Sequence, residues 1–239
     1  MRTVIVIPAR FDSTRLPGKP LADILGKPMI RHVVERAQRV ASASDVLVAT
    51  DDVRVADAVT AFGARAVMTG RHHESGTDRL CEVMDAVPAD LYVNLQGDEP
   101  LVRPTDIERL VRGMEASPDS MVGTLCHAID AEEALDPNVV KLVQDAQGDA
   151  LYFSRSPIPY PRDGEVATHL KHVGVYAYRA EVLRAWSRLR MPMIERAEKL
   201  EQLRLLHAGW RIRMFQVEPT GPGVDTVEQL ERVRALMAA

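Results

Sequence analysis

The chain predicts an α/β fold: three layers around a mostly parallel, Rossmann-like sheet, with a β-rich extension in its second half. Three observations carry this. Compact β-branched runs alternate with helix-spaced apolar residues through the first half, the connections are short, and turn-separated strands crowd the second half. Thr3–Ile7 (TVIVI) reads as a strand covered on both faces. Ile30, Val33, Val34, Ala37 and Val40 hold helical spacing, with Pro28 acceptable in the first turn. Asp45–Thr50, Ala64–Thr69 and Leu91–Gln96 are further strands, separated by helices over Val53–Phe62 and Asp78–Val87. Such alternation implies right-handed crossovers.

After a helix near Asp106–Met114 the pattern changes. Met121–His127, Val139–Gln144, Ala150–Ser154 and Leu170–Tyr178 read as strands, which suggests antiparallel additions. Helices return over Ala180–Leu189 and Glu195–Ala208, then a strand over Ile212–Val217 and a terminal helix from Thr226. No repeat, low-complexity tract or linker interrupts the chain. It reads as a single domain over 1–239, with an alternating half to about residue 120 and an elaborated half beyond.

Composition narrows the function. At 239 residues, 46% hydrophobic and 27% charged, the chain is an ordinary soluble globular protein. A formal charge of −4 gives no global basic field for nucleic acid or anionic lipid, so anions must be held by local cations. Cys81 and Cys126 lie in apolar runs at no metal-ligand spacing and read as buried thiols of a reducing compartment. Thr3–Ile7 is too short for a signal or membrane segment, so a cytosolic protein is expected.

Three segments carry chemistry. Pro8–Pro20 (PARFDSTRLPGKP) leaves the first strand where ligands of open α/β sheets bind. It holds Arg10, Arg15 and Lys19 on a backbone stiffened by prolines, with Ser13, Thr14 and Gly18 supplying donors and close approach. Three converging cations suit a triphosphate. The spacing is not that of a Walker A loop. Gln96-Gly97-Asp98-Glu99-Pro100 follows the fourth strand and reads either as a plain turn or as a hard-cation site. Gly221–Thr226 precedes the last helix, where Asp225 reads as an N-cap, a second carboxylate for the same cation, or both.

The remaining motifs are weaker. Ser75–Arg79 reads as a loop and N-cap beside the nucleotide. His72-His73-Glu74 lacks sensible zinc geometry. Phe153–Arg155 and Lys171–Tyr176 place cations and aromatics on second-half strands, and Glu201-Gln202 reads as a solvated helix face.

Taken together, these segments resemble the 3-deoxy-manno-octulosonate (Kdo) cytidylyltransferases, or CMP-Kdo synthetases. The resemblance rests on Pro8–Leu21, Gly26–Ile30, Glu74–Leu80, Gln96–Pro100, Ala150–Tyr160, His172–Arg179, Leu200–Arg204 and Gly223–Thr226, nearly end to end. The short connection from Pro159 to His172 looks most like the capsule-associated branch.

The resemblance implies transfer of CMP from CTP to Kdo with release of pyrophosphate, for lipopolysaccharide or capsule synthesis. On that reading Arg10, Lys19, Asp98 and Asp225 are catalytic, and Asp98 and Asp225 hold Mg²⁺. Pro8, Ala9, Ser13, Arg15, Ser75, Gly76, Thr77, Arg79 and Gly97 join Arg10, Lys19 and Asp98 around the nucleotide. Gln96, Arg155, His172, Tyr176, Glu201 and Gln202 surround the sugar acid, with Arg155 a natural partner for its carboxylate. Met191–Glu195 matches the family loosely and carries no sugar contact. The resemblance also implies a homodimer, with about 1–120 the nucleotide-binding half and about 121–239 the sugar-binding and dimerisation half. Three other readings stand beside it: a cytidylyltransferase for 8-amino-Kdo or a sialic acid, a nucleotide-sugar-consuming glycosyltransferase, and a non-catalytic nucleotide-binding protein.

Overall fold

The structure, a computed structural model, describes residues 1–13, 15–73, 75–164 and 168–238. Thr14 of the first loop and Glu74 of the His72–Glu74 run lie outside the described residues.

The apolar β-branched run becomes β1 (Thr3–Pro8), whose first five residues are fully enclosed. A two-residue hairpin, β2 (Asp23–Ile24) with β3 (Lys27–Pro28), leads into α1 (Met29–Ala37). Pro28 sits at its N-cap, one position before the first turn. β4 (Asp45–Thr50), α2 (Val53–Ala61), β5 (Arg65–Met68), α3 (Gly76–Ala86), β6 (Leu91–Asn94) and α4 (Pro104–Ala116) complete the alternating half. β7 (Val122–Ile129), a short α5 (Ala131–Ala134), β8 (Lys141–Gln144), β9 (Ala150–Ser154) and β10 (His169–Arg179) follow. The chain ends with α6 (Ala180–Trp186), α7 (Met193–Glu198), α8 (Gln202–His207), β11 (Ile212–Gln216) and α9 (Val227–Ala238).

Seven strands run β11-β7-β10-β6-β1-β4-β5, and β10 is the one antiparallel to its neighbours on this path. β8 and β9 extend antiparallel from β10, as expected of the second half. Alternation along β1 divides the core. Val4 and Val6 face a cluster containing α3, α6 and α8, while Ile5 and Ile7 face one containing α1, α2 and α4. The result is three layers, helix–sheet–helix. A third, smaller cluster packs Leu16 and Ile24 against Val224 and Leu230, tying the first loop to α9.

The helix expected over Glu195–Ala208 is instead two. Lys199 adopts left-handed backbone (φ 54°, ψ 48°) and ends α7, its N–H bonding the Glu195 carbonyl at 2.8 Å. No Gly, Pro or Asn stands between Glu195 and Ala208 to mark the break, which is why the sequence reads as one helix. Among the described residues, no helix is long and apolar enough to cross a membrane.

Lys141, in β8, is completely buried, with no carboxylate partner among the described residues. Its ammonium donates to the carbonyls of Asp136 (2.9 Å), Val139 (2.6 Å) and Arg155 (2.5 Å), closing the approach to β8 onto the end of β9. Lys141→Met keeps the stem and strands those acceptors. It should cost about 3 kcal/mol, read as a lower urea midpoint at unchanged m-value.

Candidate active site

Beyond β1 the chain is shaped by short-range contacts. Gly18 has φ 67°, its N–H meets the Phe11 carbonyl at 3.2 Å, and an added Cβ would press on the Phe11 ring at 3.2 Å. The Arg54 guanidinium lies over that ring, 3.4 Å from its centroid, held by Asp52 at 2.8 and 2.6 Å. Ser13 accepts from the Leu16 N–H at 3.3 Å, so its hydroxyl helps fold the loop. A single 3-10 turn then starts at Lys19.

Lys19 is where the three segments meet. Its Nζ lies 2.5 Å from Asp98 Oδ2 and 3.0 Å from Asp225 Oδ1, and Arg15 reaches Asp225 Oδ2 at 3.1 Å. Burial works against the lysine's charge, but Asp98 and then Asp225 outweigh it and hold the ammonium above the ordinary lysine range. The carboxylate loops also brace one another, since the Val224 N–H bonds the Asp98 carbonyl at 2.9 Å. At Gly97 any Cβ would come within 2.8 Å of the Pro8 carbonyl, so glycine permits this approach. The structure separates the two roles of Asp225: Thr226 Oγ1 accepts the Gln229 N–H at 3.3 Å as the helix cap, leaving the Asp225 carboxylate to the cations.

These groups line a cavity of about 420 Å³. Pro8, Ala9, Arg10, Ser13, Arg15 and Lys19 form one wall, and Gln96, Gly97, Asp98, Asp225 and Gly76 the rest. Gly76 is the first residue of α3, whose free N–H groups favour an anion there.

A second cavity of about 260 Å³ shares Gly76 and Gln96 with the first. His172, Tyr176, Glu201 and Gln202 line it with Thr77. β10 bulges beside it, with two extra residues between Val173 and Tyr176. Buried Thr124 fills the bulge, donating to the Val175 carbonyl at 2.8 Å. With that hydrogen spent, Thr124 Oγ1 accepts from His172 Nε2 at 3.1 Å, an assignment that leaves Nδ1 as an acceptor. Burial drops the His172 pKa to about 3, so the ring is neutral. Burial also raises the Glu201 carboxyl, which accepts from Thr77 Oγ1 at 2.9 Å. Tyr176 Oη and Gln202 Nε2 are buried without a hydrogen-bond partner among the described residues. Stranded polar atoms facing a cavity point to a polar ligand. Glu201 and Gln202 are therefore enclosed, not on a solvated helix face.

Three expected ligand residues line neither cavity, and Thr77, expected beside the nucleotide, lines the second cavity and not the first. Arg79 is wholly buried in α3, paired with Asp51 at 2.9 Å and bonded to Thr69; it joins the helix to the ends of β4 and β5 instead of reaching nucleotide. The Arg155 guanidinium donates to the carbonyls of Glu198 (2.7 Å) and Pro137 (2.9 Å) and lines neither cavity. Ser75 also lines neither; its hydroxyl caps α3 through Asp78 N–H at 3.2 Å. His73 pairs with Glu82, and among the described residues no group of three His, Cys, Asp or Glu side chains could hold a metal. Burial pushes the half-buried Cys81 thiol up to about 12 and the buried Cys126 thiol up to about 11, so neither is a nucleophile. Sequence reading missed Asp12 in the first cavity and Asn94, Tyr178 and Lys199 in the second. Asn94 and Tyr178 were legible only as strand residues, but a lysine two residues before Glu201-Gln202 was a usable signal.

Glu99 lies beside this centre. Burial first, and then the charge of Asp98, raise its carboxyl to about 8. A carboxyl raised in the folded state stabilises most below its ordinary value of 4.5 and loses that contribution as pH rises through about 8. The melting temperature of metal-free protein should therefore fall relative to Glu99→Gln between pH 5 and 8. Parallel melting curves across that window would contradict the assignment.

Comparison with known proteins agrees with this geometry. The cytidylyltransferase family model matches residues 4–212. The 3-deoxy-manno-octulosonate cytidylyltransferase of Escherichia coli is 63% identical over 237 residues, covering 99% of this chain and 96% of the relative. A solved structure of CMP:2-keto-3-deoxy-manno-octonic acid synthetase complexed with CTP superposes with a TM-score of 0.98 at 63% identity, covering 100% of this chain and 99% of that one. A cytidylyltransferase from Leptospira borgpetersenii, 15% identical, shares the fold with a TM-score of 0.68 over 100% of this chain and 87% of its own. The chain belongs to the 3-deoxy-manno-octulosonate cytidylyltransferase family.

Proposed function

We propose that the chain transfers CMP from CTP to the anomeric hydroxyl of Kdo, giving CMP-Kdo and pyrophosphate for bacterial surface polysaccharide synthesis. The observation that carries this is the pair of cavities meeting at Gly76 and Gln96. One is lined by three cations and three carboxylates; the other is lined mostly by neutral polar groups suited to a hydroxyl-rich acid. A donor and an acceptor held side by side need little more than alignment and charge neutralisation. The anomeric hydroxyl gives up its proton to solvent and its oxygen forms a bond to the α-phosphorus, while the bond to the pyrophosphate oxygen breaks and pyrophosphate leaves with the electron pair. Arg10, Arg15 and Lys19 neutralise the departing pyrophosphate. His172 Nδ1, Tyr176 and Gln202 orient the sugar's hydroxyls.

The residues fit Mg²⁺. Asp98 and Asp225 already converge on one cation, the Lys19 ammonium, and Mg²⁺ commonly takes one or two carboxylates with phosphate oxygens and water. When bound, the ion supplies Lewis-acid stabilisation of phosphate charge. Asp98 and Asp225 would hold it, leaving Lys19 to the triphosphate.

On the same reading the enzyme works as a homodimer in the cytosol. Exposed apolar side chains on the second half, Leu135, Leu151 and Met193, support a partner surface, and two free cysteines suit a reducing compartment. Light scattering should give twice the monomer mass.

Pyrophosphate release with CTP, Mg²⁺ and Kdo tests the activity, with GTP, ATP and UTP as controls. Turnover is expected with CTP and should vanish without Kdo. Asp98→Asn should lower kcat by at least about a hundredfold with the fold retained, read as an unchanged circular dichroism spectrum. Undiminished turnover in that variant would defeat the assignment of Asp98.

A further inference from the structure

The second cavity has an electrostatic gap if it is to hold a sugar acid, a premise that rests on the function proposed above. A carboxylate removed from water needs a cation or several donors. Arg155 lines neither cavity, its guanidinium being tied to two backbone carbonyls, and His172 is neutral. Among the described residues that line the cavity, Lys199 carries the one permanent positive charge.

The placement of Lys199 is built. It sits at the break between α7 and α8 in left-handed backbone, a conformation disfavoured for a residue with a Cβ. The surrounding structure enforces that break. Glu195, whose carbonyl accepts the Lys199 N–H, has its buried carboxylate clamped by Arg204 at 2.8 and 2.6 Å. The preceding Glu198 has its carbonyl held by Arg155 Nε at 2.7 Å. Its carboxylate accepts from Ser154 Oγ at 2.7 Å and the Arg155 N–H at 2.9 Å. A continuous helix from Met193 to His207 would not hold the lysine in this turn. Glu201, two residues on, engages Thr77 across the cavity.

We infer that Lys199 is the cation that receives the carboxylate of the sugar acid, and that the α7–α8 break exists in part to present it. It is a specificity-determining residue: it selects an acid over a neutral sugar of similar shape, while Gln202, Tyr176 and His172 read hydroxyls. Its exposed position lets the ammonium swing onto the ligand as the cavity fills.

Steady-state kinetics on Lys199→Met, Lys199→Arg and the parent protein test this, with Kdo and its methyl ester as acceptors. Lys199→Met should raise KM for Kdo by about tenfold to a hundredfold, leaving KM for CTP and the melting temperature unchanged. It should also erase the parent's preference for Kdo over the ester, and Lys199→Arg should restore most of it. An unchanged KM for Kdo in Lys199→Met, alongside normal parent turnover, overturns the role of Lys199 alone. Absence of parent turnover with Kdo overturns the function and this inference together.

Discussion

The ammonium of Lys19, lying between Asp98 and Asp225, is the contact on which the site depends. It joins parts of the chain 79 and 206 residues apart, each emerging at the same edge of the sheet. Two carboxylates held this close repel one another, and a cation between them converts that repulsion into cohesion. Gly97 against Pro8 and Val224 against Asp98 bring the backbones near enough for the charges to meet. The same charge balance that stabilises the resting protein prepares it for a divalent ion and a triphosphate.

The two cavities differ in kind for physical reasons. The first is open, charged and built from loops, as suits a ligand bound through its phosphates. The second is set into the sheet where β10 bulges, and it encloses groups that burial keeps neutral. Desolvation makes each hydrogen bond there more discriminating, so a hydroxyl in the wrong place leaves Tyr176 or Gln202 unpaired. Nucleotide affinity and sugar choice are thus separated in space yet share Gly76 and Gln96.

Much of this was legible in the sequence. Thr3–Ile7, Asp45–Thr50 and Ala150–Ser154 announced their strands through dense β-branched or aromatic content, and the Pro8–Pro20 loop declared its cations. Arg79 and Arg155 were misplaced because a sequence shows that an arginine is present but not what it pairs with. Asp51 lies 28 residues from Arg79, and Glu198 43 residues from Arg155. The break at Lys199 was hidden because no Gly, Pro or Asn marks it and a lysine rarely adopts left-handed backbone. Glu201 and Gln202 looked solvated for the same reason: helical spacing placed them off the apolar stripe, whereas the break turns them into a cavity.

The central claim is that the α-phosphorus of CTP passes directly to the acid held in the adjoining cavity. Phosphorus-31 NMR of the protein with CTP, Mg²⁺ and Kdo tests it most directly. The account predicts that a phosphodiester resonance and pyrophosphate grow in equal amounts as CTP disappears. Formation of CDP with inorganic phosphate, or CTP left intact, would contradict it.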